Sequence, residues 1–220
     1  LVKVYVGPEK ALWFLPEHLL CDRVPFFRSA FQGGFRESKE RVLELPEDDP
    51  IAFAFIVDRV FSEWRIGSKL AKDQEGYQLI WCKIYVLADK LGRSDIACSA
   101  EQGYMWHIRS RRDRCINEGL DLPIVDPAAA KFLYENTTDS ATMRKTLAQT
   151  ASDLHFTSPC MSAPTMERWV ESASCHPEFL FDIIVSIRKL VFNNPKDHVC
   201  SMVSTSCTVH KPNPNSEVIV

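Results

Sequence analysis

Eight cysteines and six histidines are the residues of this 220-residue chain most able to hold a metal or attack a substrate. The densest group is His198, Cys200, Cys207 and His210, four borderline-soft ligands within thirteen positions. Zinc takes such donors in tetrahedral sets, but H-x-C-x6-C-x2-H is not the spacing of a common zinc module. No metal is therefore expected there. Catalysis needs a nucleophile, a base and an orienting group brought together. The chain carries no G-x-S-x-G, no phosphate-binding G-x4-G-K-[ST] and no G-x-G-x-x-G. No Cys–His pair stands out by spacing, so neither enzymatic activity nor a cofactor is expected.

A second chemical candidate is the basic run Arg109-Ser110-Arg111-Arg112-Asp113-Arg114. It is short, no aromatic interrupts it, and the chain's formal net charge is −3. That argues against nucleic acid and for the solvated end of a helix, where cations suit the dipole. No apolar run approaches the ~20 residues of a membrane helix, so no membrane partner is expected. Cys21, Cys82 and Cys98 fall inside helical patterns and the rest are scattered. Free, mostly buried thiols in a reducing compartment, cytoplasm or nucleus, are the expectation.

The elements that would position these residues can be read in order. Val2, Val4 and Val6 alternate with Lys3 and Tyr5, the period of a strand with one buried face. Gly7 to Lys10 is a turn, residues 12–15 a returning strand, and Pro16 opens a short helix with Leu19, Leu20 and Cys21. Pro25 suits a first helical turn, and Phe26, Phe27, Ala30 and Phe31 give that helix its apolar face. Gly33-Gly34 ends it. A polar run leads to a strand at Val42, Leu43 and Leu45. Asp49 and Pro50 are an N-cap and first-turn pair. The next helix runs to about Trp64, with a stripe of Phe53, Ile56, Val57, Val60, Phe61 and Trp64. Residues 77–91 are apolar almost all round, a central helix closed by Gly92. Ser94 or Asp95 caps its successor, whose inner face is Ile96, Ala100, Gly103, Tyr104 and Ile108.

Six motifs in this stretch, V-K-V-Y-V-G (2–7), H-L-L-C (18–21), P-F-F-R-x-A-F (25–31), G-F-R-E-S (34–38), L-E-L-P-E-D-D-P-x-x-F (43–53) and Y-V-L-A-D-K-L-G (85–92), together resemble the BTB/POZ domain, and fungal members most. The chain departs from the family at Pro16, where a histidine is usual. The resemblance implies an α+β, mostly helical fold: a short three-stranded sheet flanked by about five helices. It implies a non-catalytic protein–protein interaction module that associates with itself, recruits other proteins, or both. In that family a hydrophobic-x-Glu motif in the loop before the third strand contacts the cullin scaffold of a ubiquitin ligase, and Phe35, Arg36 and Glu37 occupy that place. The competing reading of the same residues is that Phe35 seals the core and Glu37 is merely solvated. The family's homodimers meet through the first strand and first helices, which nominates Val2, Val4, Leu19, Phe26 and Phe27 as a dimer surface. A substrate-adaptor role in a cullin ligase is the first alternative, with the extension described next recruiting the target. A transcription-linked regulator is the second, weakened by the absence of a zinc-finger array.

The pattern resets near residue 122. Asp126-Pro127 starts a helix with Ala129, Phe132 and Leu133 on its apolar side. Y-E-N-T (134–137) and M-R-K (143–145) resemble a segment that follows the BTB core in fungal members. Met143, Leu147, Ala151 and Leu154 line a further helix, residues 166–173 a short one, and Phe179, Ile183, Ile187 and Leu190 a last one. The expected organisation is a BTB/POZ domain over residues 1–115, a helical extension over 116–192 and a loosely ordered tail over 193–220.

Overall fold

The computed structural model describes residues 1–61, 76–120, 123–156 and 163–193. Among the described residues the protein is mostly helical with a small three-stranded sheet, the fold class expected at that level. Strands β1 (Val2–Val6) and β2 (Ala11–Leu15) form an antiparallel hairpin, and β3 (Val42–Leu45) adds to the other side of β1 in parallel, giving the order β2-β1-β3. A parallel neighbour needs a crossover. Three short helices supply it: α1 (Glu17–Arg23), α2 (Pro25–Gln32) and α3 (Arg36–Glu40). Val2, Val4 and Val6 are all fully buried, so the alternation places one face of the sheet against the core.

Helix α4 (Pro50–Phe61) begins as its sequence dictates. Asp49 Oδ1 accepts the Ile51 N–H at 2.8 Å while its other oxygen takes Lys83 Nζ at 2.7 Å. Phe53 is fully buried, edge-on to Trp13 at 5.1 Å and to Phe27 at 6.3 Å, joining β2, α2 and α4. Phe55, outside the expected stripe, is also buried, because α4 packs on a second side against Trp81. Trp64 and the far end of the predicted helix lie outside the described residues.

Helix α5 (Tyr77–Lys90) is the central one, buried at Trp81, Cys82, Ile84, Tyr85, Leu87 and Ala88. It ends as glycine permits. Gly92, at φ 73°, donates to Asp89 O at 2.9 Å and Arg93 N–H to Ala88 O at 2.8 Å. Helix α6 (Ser94–Glu118) follows. Its N-cap is Arg93, not Ser94 or Asp95, and Asp95 turns back to hold the Arg93 guanidinium at 2.7 Å. Gly103 of α6 lets the Trp81 ring lie against the helix backbone. The basic run sits inside α6 rather than at its end.

Helix α7 (Pro127–Asn136) is capped by Asp126 as expected. It is followed by α8 (Thr142–Phe156), α9 (Ala163–Ala173) and α10 (Pro177–Asn193). Met143, Leu147, Ala151, Leu154, Phe179 and Ile183 are buried and belong to the same hydrophobic cluster as the sheet and α5. Residues Leu1–Ile187 form one compact unit, and Arg188–Val220 a second, described only through the end of α10.

Two buried polar groups tie the helices together. Gln78 of α5 accepts the Tyr104 hydroxyl at 3.1 Å and the Asp126 N–H at 3.0 Å, and donates to Ile124 O at 2.8 Å. Arg144 of α8, 4% exposed, donates to Tyr134 O at 2.7 Å, to both oxygens of Thr137, to Asp139 at 3.0 Å and to Glu178 at 2.6 Å. Its guanidinium lies 4.5 Å over the Tyr134 ring. A buried polar group without such partners is costly, which explains why both side chains are fully engaged.

Candidate protein-binding site

Phe35, Arg36 and Glu37 lie in the connection between α2 and β3, and the geometry there follows from four local residues. Gly33 closes α2 by donating to Ser29 O at 2.9 Å. Gly34 then turns through φ 79°, which an L side chain resists. Phe35 becomes the N-cap of α3 in extended conformation, and Ser38 bonds Phe35 O through its hydroxyl at 2.7 Å. Arg41, left-handed at φ 54°, donates to Glu37 O at 2.9 Å and ion-pairs with Glu17 of α1. Phe35-Arg36-Glu37 is therefore the start of a short helix, not a loop. The sequence concealed it because R-E-S-K-E has no apolar period.

Phe35 is 62% exposed. The expectation that it seals the core is overturned. Its ring covers Gly33, where an added Cβ would come within 2.9 Å of it, and the remainder faces solvent. Arg36 is exposed and reaches Glu40 at 3.4 Å. Glu37 is half-buried and has no ion-pair partner among the described residues. An aromatic fixed at a helix start, with a carboxylate two residues on, can fill a partner's pocket and set its register.

The proposed dimer surface divides differently. Val2, Val4 and Phe27 are fully buried in the chain's own core, so their side chains are unavailable to a second copy. Leu19 and Phe26 are half-buried, Phe26 standing edge-on to Phe27 at 5.5 Å. Alternation in a sequence reveals that a face is buried but not what buries it. The large apolar side chains that do face solvent on the sheet are Leu12 and Phe14, at 43% and 58%. The sequence reading placed them in a strand without assigning them a face.

Cys21, Cys82 and Cys115 are buried, Cys175 is half-buried, Cys98 is exposed, and none is in a disulfide. Burial pushes the Cys82 thiol far up, reinforced by the charge of Asp126, so it is not a nucleophile. Burial raises Tyr104 likewise. No three His, Cys, Asp or Glu side chains converge on a metal position among the described residues. The quartet His198, Cys200, Cys207 and His210 lies outside them. In the basic run, Arg112 pairs with Asp113 at 3.1 Å and Arg111 lies 6.0 Å over the Tyr77 ring. Among the described residues no helix is long and apolar enough to cross a membrane. No protein-family model and no curated protein matches the chain.

Proposed function

We propose that this protein is a BTB/POZ-type interaction module that works by presenting surfaces, with no turnover of its own. The order of its motifs supports this, together with a fold that places a parallel third strand after a run of short helices. The observation that carries the reading is Phe35: a large aromatic, pinned at the start of α3 and left 62% exposed, has no role in the protein's own core.

Its position one residue before Arg36 and two before Glu37 favours a cullin scaffold as the partner, and hence a substrate-adaptor role. Calorimetric titration of a purified cullin N-terminal domain tests this. Wild type should bind with micromolar affinity. Phe35→Ala with Glu37→Lys should remove about 2 kcal/mol or more, roughly a thirty-fold loss or greater, as expected of a buried aromatic anchor. Failure of the wild type to bind overturns the adaptor reading.

A further inference from the structure

Helix α6 buries one side of its last turns and leaves the other to solvent. Ile108 and Cys115 are in the interior, while Trp106, Ile116 and, just past the helix, Leu120 are each more than half exposed. Trp106, Arg109, Asp113 and Ile116 follow one another at steps of three, four and three residues, so they form a single stripe along the outer side. Trp106 is held in place. Its ring stands edge-on to His107 at 5.0 Å, and His107 lies against Tyr77 at 5.4 Å and Trp81 at 5.7 Å. A ladder of rings thus runs from the buried Trp81 of α5 out to the exposed indole. At the other end Gly119, at φ 65°, closes α6, and Leu120 N–H donates to Cys115 O at 2.9 Å, which fixes Leu120 beside the last turn.

The charge along this stretch runs against that of the chain. Arg109, Arg111, Arg112 and Arg114 outnumber Asp113 and Glu118, in a protein whose formal net charge is −3. Asp113 is already answered by Arg112 at 3.1 Å. We propose that the stripe docks an acidic amphipathic helix of another protein. Trp106 and Ile116 are ten residues apart, which at 1.5 Å per residue separates the apolar ends by about 15 Å. The occupant carries apolar side chains at that separation and carboxylates between and beside them for the arginines. A tryptophan and an arginine in one stripe are the residue types that carry most binding energy at interfaces. Charge decides against the other occupants. A second copy laid on this face would set arginines among arginines. Nucleic acid phosphates would meet Asp113 and Glu118 and leave Ile116 and Leu120 without a counterpart.

The contact is short. A seam of about four turns buries less than the ~800 Å² per partner of a standard interface. The complex is accordingly reversible, with a dissociation constant on the order of 10 μM at low salt, and it weakens as salt screens the arginines. The stripe belongs to α6 and Phe35 to α3, so this is a second docking surface, and its failure leaves the cullin reading untouched.

Fluorescence anisotropy with the whole chain tests it. The probe is a labelled synthetic helix of about three heptads, with leucine along one seam and glutamate on the flanks. Its control is the same peptide with lysine for every glutamate. The acidic helix should bind and the basic one should not. Trp106→Ala, Ile116→Glu and Arg109→Glu each change an exposed side chain, so each should weaken binding about ten-fold or more while leaving the circular dichroism spectrum unchanged. Three results overturn the proposal: no binding of the acidic helix by the wild type, equal binding of the basic one, or binding that survives a folded Trp106→Ala chain. Tighter binding of a single-stranded oligonucleotide or of phosphatidylserine vesicles than of the acidic helix overturns it as well.

Discussion

Replacing Gly103 by alanine should destabilise this protein, although alanine is the better helix former by about 1 kcal/mol. The reason is Trp81. A Cβ on Gly103 would stand 2.5 Å from Cη2 and 2.7 Å from Cζ2 and Cζ3 of that ring, closer than real Cβ contacts. The ring has little room to withdraw: it is 7% exposed, with Phe55 edge-on at 5.5 Å and His107 at 5.7 Å. Overpacking of this kind costs about 1–3 kcal/mol. Set against the helix gain, the net loss is about 1 kcal/mol, in a range from near zero to about 2. Urea unfolding followed by circular dichroism would read this as a lower midpoint at unchanged slope. The companion measurement is the same substitution in a Trp81→Leu background, where the clash is gone and alanine should stabilise by up to about 1 kcal/mol. Stabilisation by that amount with Trp81 intact would refute the argument that the α5–α6 seam is fitted around this glycine.

Two further outcomes follow from the polar ties. Burial opposes ionisation of Asp49, but bonds from Lys83 and from the Ile51 and Ala52 N–H groups outweigh it and hold the carboxyl below its usual range. A depressed folded-state pKa contributes stability above the unfolded value of about 3.9, lost as pH falls through the folded value. Asp49→Asn keeps the capping oxygen and removes the charge, so it should cost about 1 kcal/mol at neutral pH. That difference from wild type should shrink as pH falls below about 5 and on through the depressed folded value, measured by denaturation at each pH. Arg144→Lys should cost about 2–3 kcal/mol, since an ammonium cannot reproduce a fork that serves Tyr134 O and both Thr137 oxygens. A change below about 0.5 kcal/mol would mean those carbonyls are satisfied otherwise.

The strands and helix starts were legible because each has a local physical signature. Val2-Val4-Val6 alternates, Asp49-Pro50 and Asp126-Pro127 are cap-and-first-turn pairs, and Met143-Leu147-Ala151-Leu154 keeps helical spacing. What stayed hidden depends on tertiary neighbours. Helix α3 has no apolar face to betray it. Phe55 looks like the wrong side of α4 until Trp81 arrives from α5. Nothing local announces the carbonyls that Arg144 and Gln78 serve. Helix α9 starts at Ala163, earlier than its apolar residues indicate. At the candidate sites, position was readable and exposure was not: the sequence leaves Phe35 open to both a surface and a core reading, and Val2, Val4 and Phe27, nominated by resemblance as a dimer surface, are buried in the chain's own core.

The middle strand of the sheet precedes every helix that packs over it, and this sets a schedule for biosynthesis. The β1–β2 hairpin can close as soon as it leaves the ribosome, but Phe53, which covers Trp13, belongs to α4, and the central helix α5 ends only at Lys90. At ~5–20 residues per second the ribosome needs roughly 4–15 s to go from Leu15 to the end of α5. For that interval the nascent chain displays three valines on one side of a bare ribbon and Leu12 and Phe14 on the other. Until α4 and α5 have emerged, neither the Phe53–Trp13 contact nor the central helix is there to cover the ribbon.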